Sequence, residues 1–187
     1  MRTVNEPASP QQKHPAQLVS DLFWSEGLLE SLGDPSGHIN KDGLDYLTFS
    51  DARLTPWSFT GLPPVRAPQL ELNRSAAQML FFSEPEVCET VRRPPRTLTI
   101  MMYLPLAIVR GAAPMFSDAK LSDFLEFWKG VFVPLFDCSV HYLAETGGRL
   151  PTRTPLVYIN RQHIEGYLEA SGVRRSEEHT SELQSLA

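Results

Sequence analysis

The chain has 187 residues and a formal net charge of -5, and 42% of its residues are hydrophobic. This length fits one domain with its own core, and the hydrophobic fraction excludes an intrinsically disordered chain. A protein this close to neutral lacks the basic excess of a dedicated nucleic-acid binder, so we expect no nucleic-acid partner.

The two ends of the chain differ in composition from the rest. Residues 1–14 are polar and contain no apolar core of the kind that a secretory signal needs, so we expect a disordered leader. Residues 175–185 read RSEEHTSELQS, which resembles a short-read sequencing adapter translated in frame. We therefore expect residues 175–187 to be an artefact and residues 15–174 to be a single domain whose natural carboxyl end is missing.

Cysteine usage and hydropathy indicate the compartment. The only cysteines, Cys88 and Cys138, lie far apart in sequence, which fits a reducing compartment. The longest apolar run, residues 98–109, is too short to cross a bilayer core of ~30 Å as a helix, and it contains Pro105. We expect a cytoplasmic protein that does not associate with membranes.

In the first half of the chain, apolar spacing favours helices. Pro15 suits a first helical position, and Leu18, Leu22 and Leu29 fall largely on one helical face. Asn73 or Ser75 is a suitable helix cap. The predicted elements are a helix over residues 15–32, turns with short strands over 34–68, a strand over 69–72, and helices over 76–82 and 86–91.

The second half shows clearer periodicity, and no internal repeat is evident in the sequence. We predict a strand buried on both faces over 97–104, a helix from Leu121 capped by Ser117, a half-buried strand over 136–142, a strand over 156–159, and a helix that Asn160 caps and Gly172 ends. This order predicts an α/β or α+β fold in which helices pack against a mixed β-sheet, in one domain.

The strand over 136–142 carries Asp137, Ser139 and His141 on its polar face. These are the residue types of a hydrolytic triad. However, alternate residues of a strand lie roughly 7 Å apart, which is too far for direct hydrogen bonds, and no G-x-S-x-G motif is present. We commit to no catalytic residue and keep these three as weak candidates for one wall of a polar pocket.

Metal binding is considered at two places. The first is Cys138, His141, Glu145 and His163, but a strand turns Cys138 and His141 to opposite sides, so a buried thiol and a surface histidine are favoured. The second is residues 38–43, which resemble half of an EF-hand loop. His38 and Phe49 stand where that family has its strongest carboxylate ligands, so a plain Asp-Gly turn is favoured and no metal is expected.

Arginines mark two regions where an anion can bind. The run Arg92, Arg93 and Arg96 is the densest positive charge, and its prolines favour a solvated loop. The second region surrounds the glycine-rich loop at residues 147–148 and a predicted helix start, a common anion site. Its candidate residues are Arg149, Arg153, Asn160 and Arg161.

Two functions are compatible with these patterns, and neither requires a cofactor. The first is a non-catalytic interaction or assembly domain with a protein partner, since no catalytic motif is complete and aromatic residues such as Trp57 and Phe59 in proline-rich loops are typical of contact surfaces. The alternative is a fragment of an enzyme for a small phosphorylated or carboxylated substrate, whose site combines the Asp137 face with Arg149, Arg153 and Asn160.

Overall fold

The computed structural model describes residues 11–91, 93, 95–115 and 120–170. The proposed adapter-derived tail and the expected cap and stop residues Ser117 and Gly172 lie outside these ranges. Residues 11–14, assigned to the leader from the sequence, are the start of the first strand.

In the described ranges, ten strands form one antiparallel sheet, with three short helices in the connections. The predicted fold of helices packed on a mixed sheet is therefore wrong. None of the helices in the described part of the chain is long and apolar enough to span a membrane. The strands are β1 (Gln11–Ser20), β2 (Phe23–Leu32), β3 (Tyr46–Pro56), β4 (Val65–Asn73), β5 (Ala77–Phe82), β6 (Thr97–Leu104), β7 (Ala107–Pro114), β8 (Phe132–Tyr142), β9 (Arg153–Asn160) and β10 (Gly166–Glu169), and the helices are α1 (Pro35–Ile39), α2 (Pro85–Thr90) and α3 (Leu121–Phe127).

The predicted helix over residues 15–32 is a hairpin of β1 and β2. The helix prediction failed for a physical reason. The end of β1 is buried on both faces, so the neighbouring residues Leu18 and Val19 are both apolar. Together with Leu22 in the turn, they imitate the spacing of an amphipathic helix. Burial on two faces thus removes the alternation by which a strand is recognised.

Two further segments that were predicted to be helices contain strands instead. Residues 76–82 contain β5, whose six residues are all buried. Asn73 does cap a turn, but it is the 3-10 turn Arg74–Ala76 that precedes β5. Asn160 likewise caps the 3-10 turn Arg161–His163, which leads into β10 instead of a helix. Strands over 97–104, 136–142 and 156–159 and helices near α2 and α3 are confirmed. The strand over 97–104 is fully buried on one face only, and not on both faces as predicted.

The sheet contains an internal repeat that the sequence did not reveal. Its strand order is β10-β6-β7-β8-β9-β5-β1-β2-β3-β4. The first unit, β1 to β5, is a four-strand meander whose fifth strand pairs with its first strand, and β6 to β10 form a second unit in the same way. In both units a helix joins the second strand to the third, and an asparagine-capped 3-10 turn joins the fourth to the fifth.

Identical residues occupy the special positions of the two units. Gly27 of β2 faces a bulge at Asp51, which has φ of 51°, and Gly111 of β7 faces a bulge at Asp137, which has φ of 50°. A Cβ added at Gly27 would lie 2.9 Å from the Ser50 carbonyl oxygen, and one at Gly111 would lie 3.1 Å from the Phe136 carbonyl oxygen. The glycines therefore allow the bulged strand to approach closely.

Two apolar clusters lie on opposite faces of the sheet. Strands β5 and β9, which pair where the units meet, contribute to both clusters through Met79 and Leu80 and through Val157 and Tyr158. One cluster is covered by α3 and the other by α1 and α2. The central strands are therefore buried on both faces, while the outer strands expose one face.

The edge strand β4 differs chemically from its equivalent in the second unit. When Asn73 is aligned with Asn160, Gln69 and Glu71 of β4 correspond to the buried Leu156 and Tyr158 of β9. Polar and charged side chains on an edge strand oppose pairing with another chain. The edge strand β4 is therefore polar and exposed to solvent where β9 is apolar and buried.

Candidate functional site

The polar face of β8 has the arrangement predicted from its alternation. Asp137, Ser139 and His141 are exposed, and the intervening Cys138 and Val140 are buried. Asp137 and His141 are four residues apart, or roughly 13 Å along a strand. Among the described residues no hydrogen bond joins any two of these three side chains, so the face is a solvent-facing stripe and not an assembled triad.

Asp137 is instead held by the arginine run. Arg93 Nη2 donates to Asp137 Oδ2 at 2.5 Å, and its guanidinium lies 5.6 Å from the centroid of the Phe136 ring. Charge-assisted hydrogen bonds and cation–π contacts each add a modest stabilisation at such an exposed place. Arg93 thus ties the loop before β6 to the bulge of β8. Arg92 lies outside the described residues.

The four candidate anion ligands do not share one centre. Arg153 begins β9 and Asn160 ends it, which separates them by roughly 23 Å. The backbone carbonyl of Arg149, in the loop before β9, accepts a hydrogen bond from Gln17. Of these four residues, Arg153 lies on the exposed sheet surface beside Asp137. Arg153 and Asp137 both line a depression of about 350 Å³.

Asn160 and Arg161 have structural partners. Asn160 is fully buried, accepts from the Gln162 backbone N–H at 3.0 Å and donates to the Arg74 carbonyl at 3.3 Å. The Arg161 guanidinium donates to the carbonyl of Trp128, just after α3. In the first unit, the guanidinium of Arg74 donates to carbonyls at the end of α1 in the same way. The Asn-Arg pair is therefore a repeated cap that fastens each 3-10 turn to its helix.

The candidate metal ligands are separated by the sheet. Cys138 points into the core, where burial, with a smaller effect of the Asp137 carboxylate, raises the pKa of its thiol to about 12. His141 is exposed on the other face, and a ring nitrogen of His163 lies 2.7 Å from the Ser75 carbonyl oxygen. Burial therefore keeps the Cys138 thiol protonated, whereas a zinc ligand must be a thiolate.

The segment that resembles half an EF-hand loop is divided between α1 and a turn. His38 belongs to α1, and burial lowers the pKa of its imidazole, with a smaller contribution from the charge of Lys41. Gly43 adopts φ of 74° in the turn that follows. Asn40 uses its side-chain oxygen to accept from the Phe132 backbone N–H at 2.8 Å. The segment connects α1 to β3 and to β8 through these contacts.

One apolar surface was only partly anticipated. Trp57, expected to be exposed, is buried at 1% relative exposure, and its indole N–H donates to the Ser20 carbonyl at 2.9 Å. Phe59 is 64% exposed, as expected. Three other apolar side chains are exposed at the same end of the sheet: Leu22 in the turn between β1 and β2, Leu62 in the connection between β3 and β4, and Val65, the first residue of β4. We call these four exposed residues the apolar end.

Comparison of the chain with protein-family models, curated proteins and solved structures finds no match in any of the three.

Proposed function

We propose that this chain is a non-catalytic interaction module and that its contact surface is the apolar end. Leu22, Phe59, Leu62 and Val65 are each more than half exposed. A single exposed apolar residue is ordinary, but a group on one surface is typical of a protein contact site. This grouping is the observation that carries the proposal.

The two connections that bear the apolar end are fixed to each other. The Trp57 backbone N–H donates to the Leu22 carbonyl at 3.2 Å, and the buried indole of Trp57 anchors the same segment from below. Val65 begins β4 opposite Leu54 of β3, next to this connection. A surface held in place before binding loses less conformational entropy when a partner arrives.

The second unit provides an internal comparison. Its equivalent contact joins the Leu143 N–H to the Leu106 carbonyl at 2.9 Å. Leu143 is exposed, but Leu106 packs against the core. The second unit thus offers one exposed leucine where the first unit offers a group of four residues, which favours the first unit as the contact site.

The partner we propose is another protein with an apolar contact surface, met in the cytoplasm. Cys88 and Cys138 are both free thiols, which supports a reducing compartment. The alternative of an enzyme is less favoured, because Asp137, Ser139 and His141 make no hydrogen bonds with one another in the described part of the chain.

Site-specific photo-crosslinking tests this proposal. A benzophenone amino acid is placed at Phe59 or Leu62 in the full chain, expressed in its source cells, and the matched control carries it at Leu143. We expect the first two positions to capture the same defined protein and the control not to capture it. The proposal is refuted if all three positions capture the same set of proteins, or if Phe59 and Leu62 capture none.

A binding measurement then checks the contribution of the side chains. With the captured protein purified, F59S/L62S is expected to weaken binding by at least about tenfold, since truncation of apolar anchors commonly costs more than about 1.4 kcal/mol. L143S is the matched control and should change the affinity by less than about twofold. Equal losses in the two variants would contradict the assignment of the surface.

A further inference from the structure

Three neighbouring strands of the second unit place two arginines on either side of a serine. Arg110 of β7 is the register partner of Ser139 of β8, and Ser139 is the register partner of Arg153 of β9. All three side chains are exposed. Register partners project from the same face of a sheet, so these residues form one row, which we call the arginine row.

The spacing of the arginine row suits a small oxyanion. Adjacent strands lie about 4.8 Å apart, so the two arginine Cα atoms are about 10 Å apart with the serine between them. Both guanidinium groups can lean over Ser139 from opposite sides. Each guanidinium offers a planar fork of donors that matches the oxygens of a phosphate, and the serine hydroxyl adds one more donor.

The positive charge of the row is not neutralised by a neighbour. Within the described residues, neither Arg110 nor Arg153 makes an ion pair with a carboxylate. The carboxylate nearest in sequence to Ser139 is Asp137, and its Oδ2 accepts from Arg93 at 2.5 Å. The row therefore retains two guanidinium charges whose strongest natural partner is an anion from solution.

The first unit has an equivalent row in which one of the two positive charges is paired with a carboxylate. Glu26, Arg53 and Arg66 are register partners on β2, β3 and β4, and they correspond to Arg110, Ser139 and Arg153. Here Arg53 Nη1 lies 3.6 Å from Glu26 Oε1. A carboxylate thus occupies the place that Arg110 has in the second unit, so the anion-binding arrangement occurs in one unit and not in the other.

We propose that the arginine row binds the phosphoryl group of a small molecule. The two guanidinium groups bind its non-bridging oxygens, and the Ser139 hydroxyl donates from below. This site is separate in sequence and unit from the apolar end, so it adds a ligand to the proposed interaction module and does not depend on that function. Sequence reasoning found Arg153 as an anion ligand but not Arg110.

A titration followed by backbone amide NMR of the full chain at low ionic strength tests the proposal. Inorganic phosphate and phenyl phosphate are added separately, because free phosphate and a phosphomonoester share the recognised group. We expect saturable shifts centred on Arg110, Ser139 and Arg153 with either probe, tighter binding of phenyl phosphate if the natural ligand is an ester, and weaker binding as salt is raised.

Variants identify the ligands. R110A and R153A should each weaken phosphate binding by about tenfold, because hydrogen bonds to a charged group contribute on the order of 1.5 kcal/mol. R153K should weaken it to a smaller extent, since lysine keeps the charge but loses the fork. R66A, at the equivalent place in the first unit, should change the dissociation constant by less than twofold.

Two results would overturn the proposal. One is a set of shifts that grow linearly without saturating, or that spread evenly over all surface arginines. The other is an equal loss of binding in R66A and R153A. Because the substituted side chains are exposed, these variants should keep the urea midpoint of the parent chain, which separates lost binding from lost folding.

Discussion

The glycine opposite each bulge offers the sharpest test of the architecture. In Gly111→Ala, the new Cβ would lie 2.6 Å from Cys138 Sγ, 3.1 Å from the Phe136 carbonyl oxygen and 3.3 Å from Leu135 Cβ. Non-bonded carbon atoms normally lie about 3.5–4 Å from their neighbours, so β7 and β8 must separate or the Cys138 thiol must move. Overpacking of this kind costs ~2–3 kcal/mol, which for a chain of this size lowers Tm by roughly 4–12 °C.

Urea denaturation of paired variants isolates the contact. Because Cys138→Ala removes the nearest atom, G111A/C138A should recover ~1 kcal/mol relative to the sum of the two single changes. Gly27→Ala should cost a similar amount without such a recovery, since its close contacts are the Ser50 carbonyl oxygen and the backbone of Ala52. Gly166→Ala, with nothing within 4 Å, is the control and should stay within about 0.5 kcal/mol of the parent. A G111A variant as stable as the parent would refute the reasoning.

Three further predictions concern the bulge, the cap and the buried thiol. D51G should raise the free energy of unfolding by ~0.5 kcal/mol, because glycine adopts positive φ without a Cβ penalty, whereas D51V should lower it by ~1–2 kcal/mol; a more stable D51V in urea denaturation would contradict this. N160A should cost ~2–3 kcal/mol and N73A ~1 kcal/mol in the same assay, since Asn160 is buried with partners on both sides and Asn73 is exposed; equal losses would be inconsistent with the burial. In a C88S background at pH 8, Cys138 should react with a thiol reagent only as fast as the protein unfolds, because its side chain is buried and this burial raises the pKa of its thiol to about 12; rapid reaction of the native protein would exclude this.

Exposure on one face decided which strands could be read from the sequence. β8 was predictable because Asp137, Ser139 and His141 alternate with buried residues. β5 was not, because neighbouring side chains enter clusters on both sides of the sheet and leave no period of two. Since these inner strands hold the two units together, the error in secondary structure became an error in fold class.

The repeat escaped sequence analysis because its signal is sparse. The units share identical residues mainly where the backbone is unusual, as at Gly27 and Gly111 or at Asp51 and Asp137. Elsewhere the environments differ, and side chains differ with them, as with the exposed Glu71 and the buried Tyr158. The identical residues can be aligned between the two units only when their common strand order is known.

The candidate site was predictable only in its local part. Arg153 was identified because it follows a glycine-rich loop, but Arg110 becomes its neighbour through the registers of β7, β8 and β9, which join residues far apart in sequence. Asn160 and Arg161 were predicted to be anion ligands because they lie at an expected helix start, which is a 3-10 turn in the structure. Their side chains instead form hydrogen bonds with backbone groups. Which backbone groups need such a partner is known only once the turn and its helix are located.

The way in which β5 meets β9 has a consequence for any shorter version of this protein. A lone five-strand unit would offer its fifth strand on one side and its fourth strand on the other, and the edges would fit each other head to tail. Such a contact has no reason to close, so it would propagate into filaments. Joining two copies in one polypeptide satisfies a single contact internally, and the carboxylate of Glu71 at the outer rim then halts growth after one molecule.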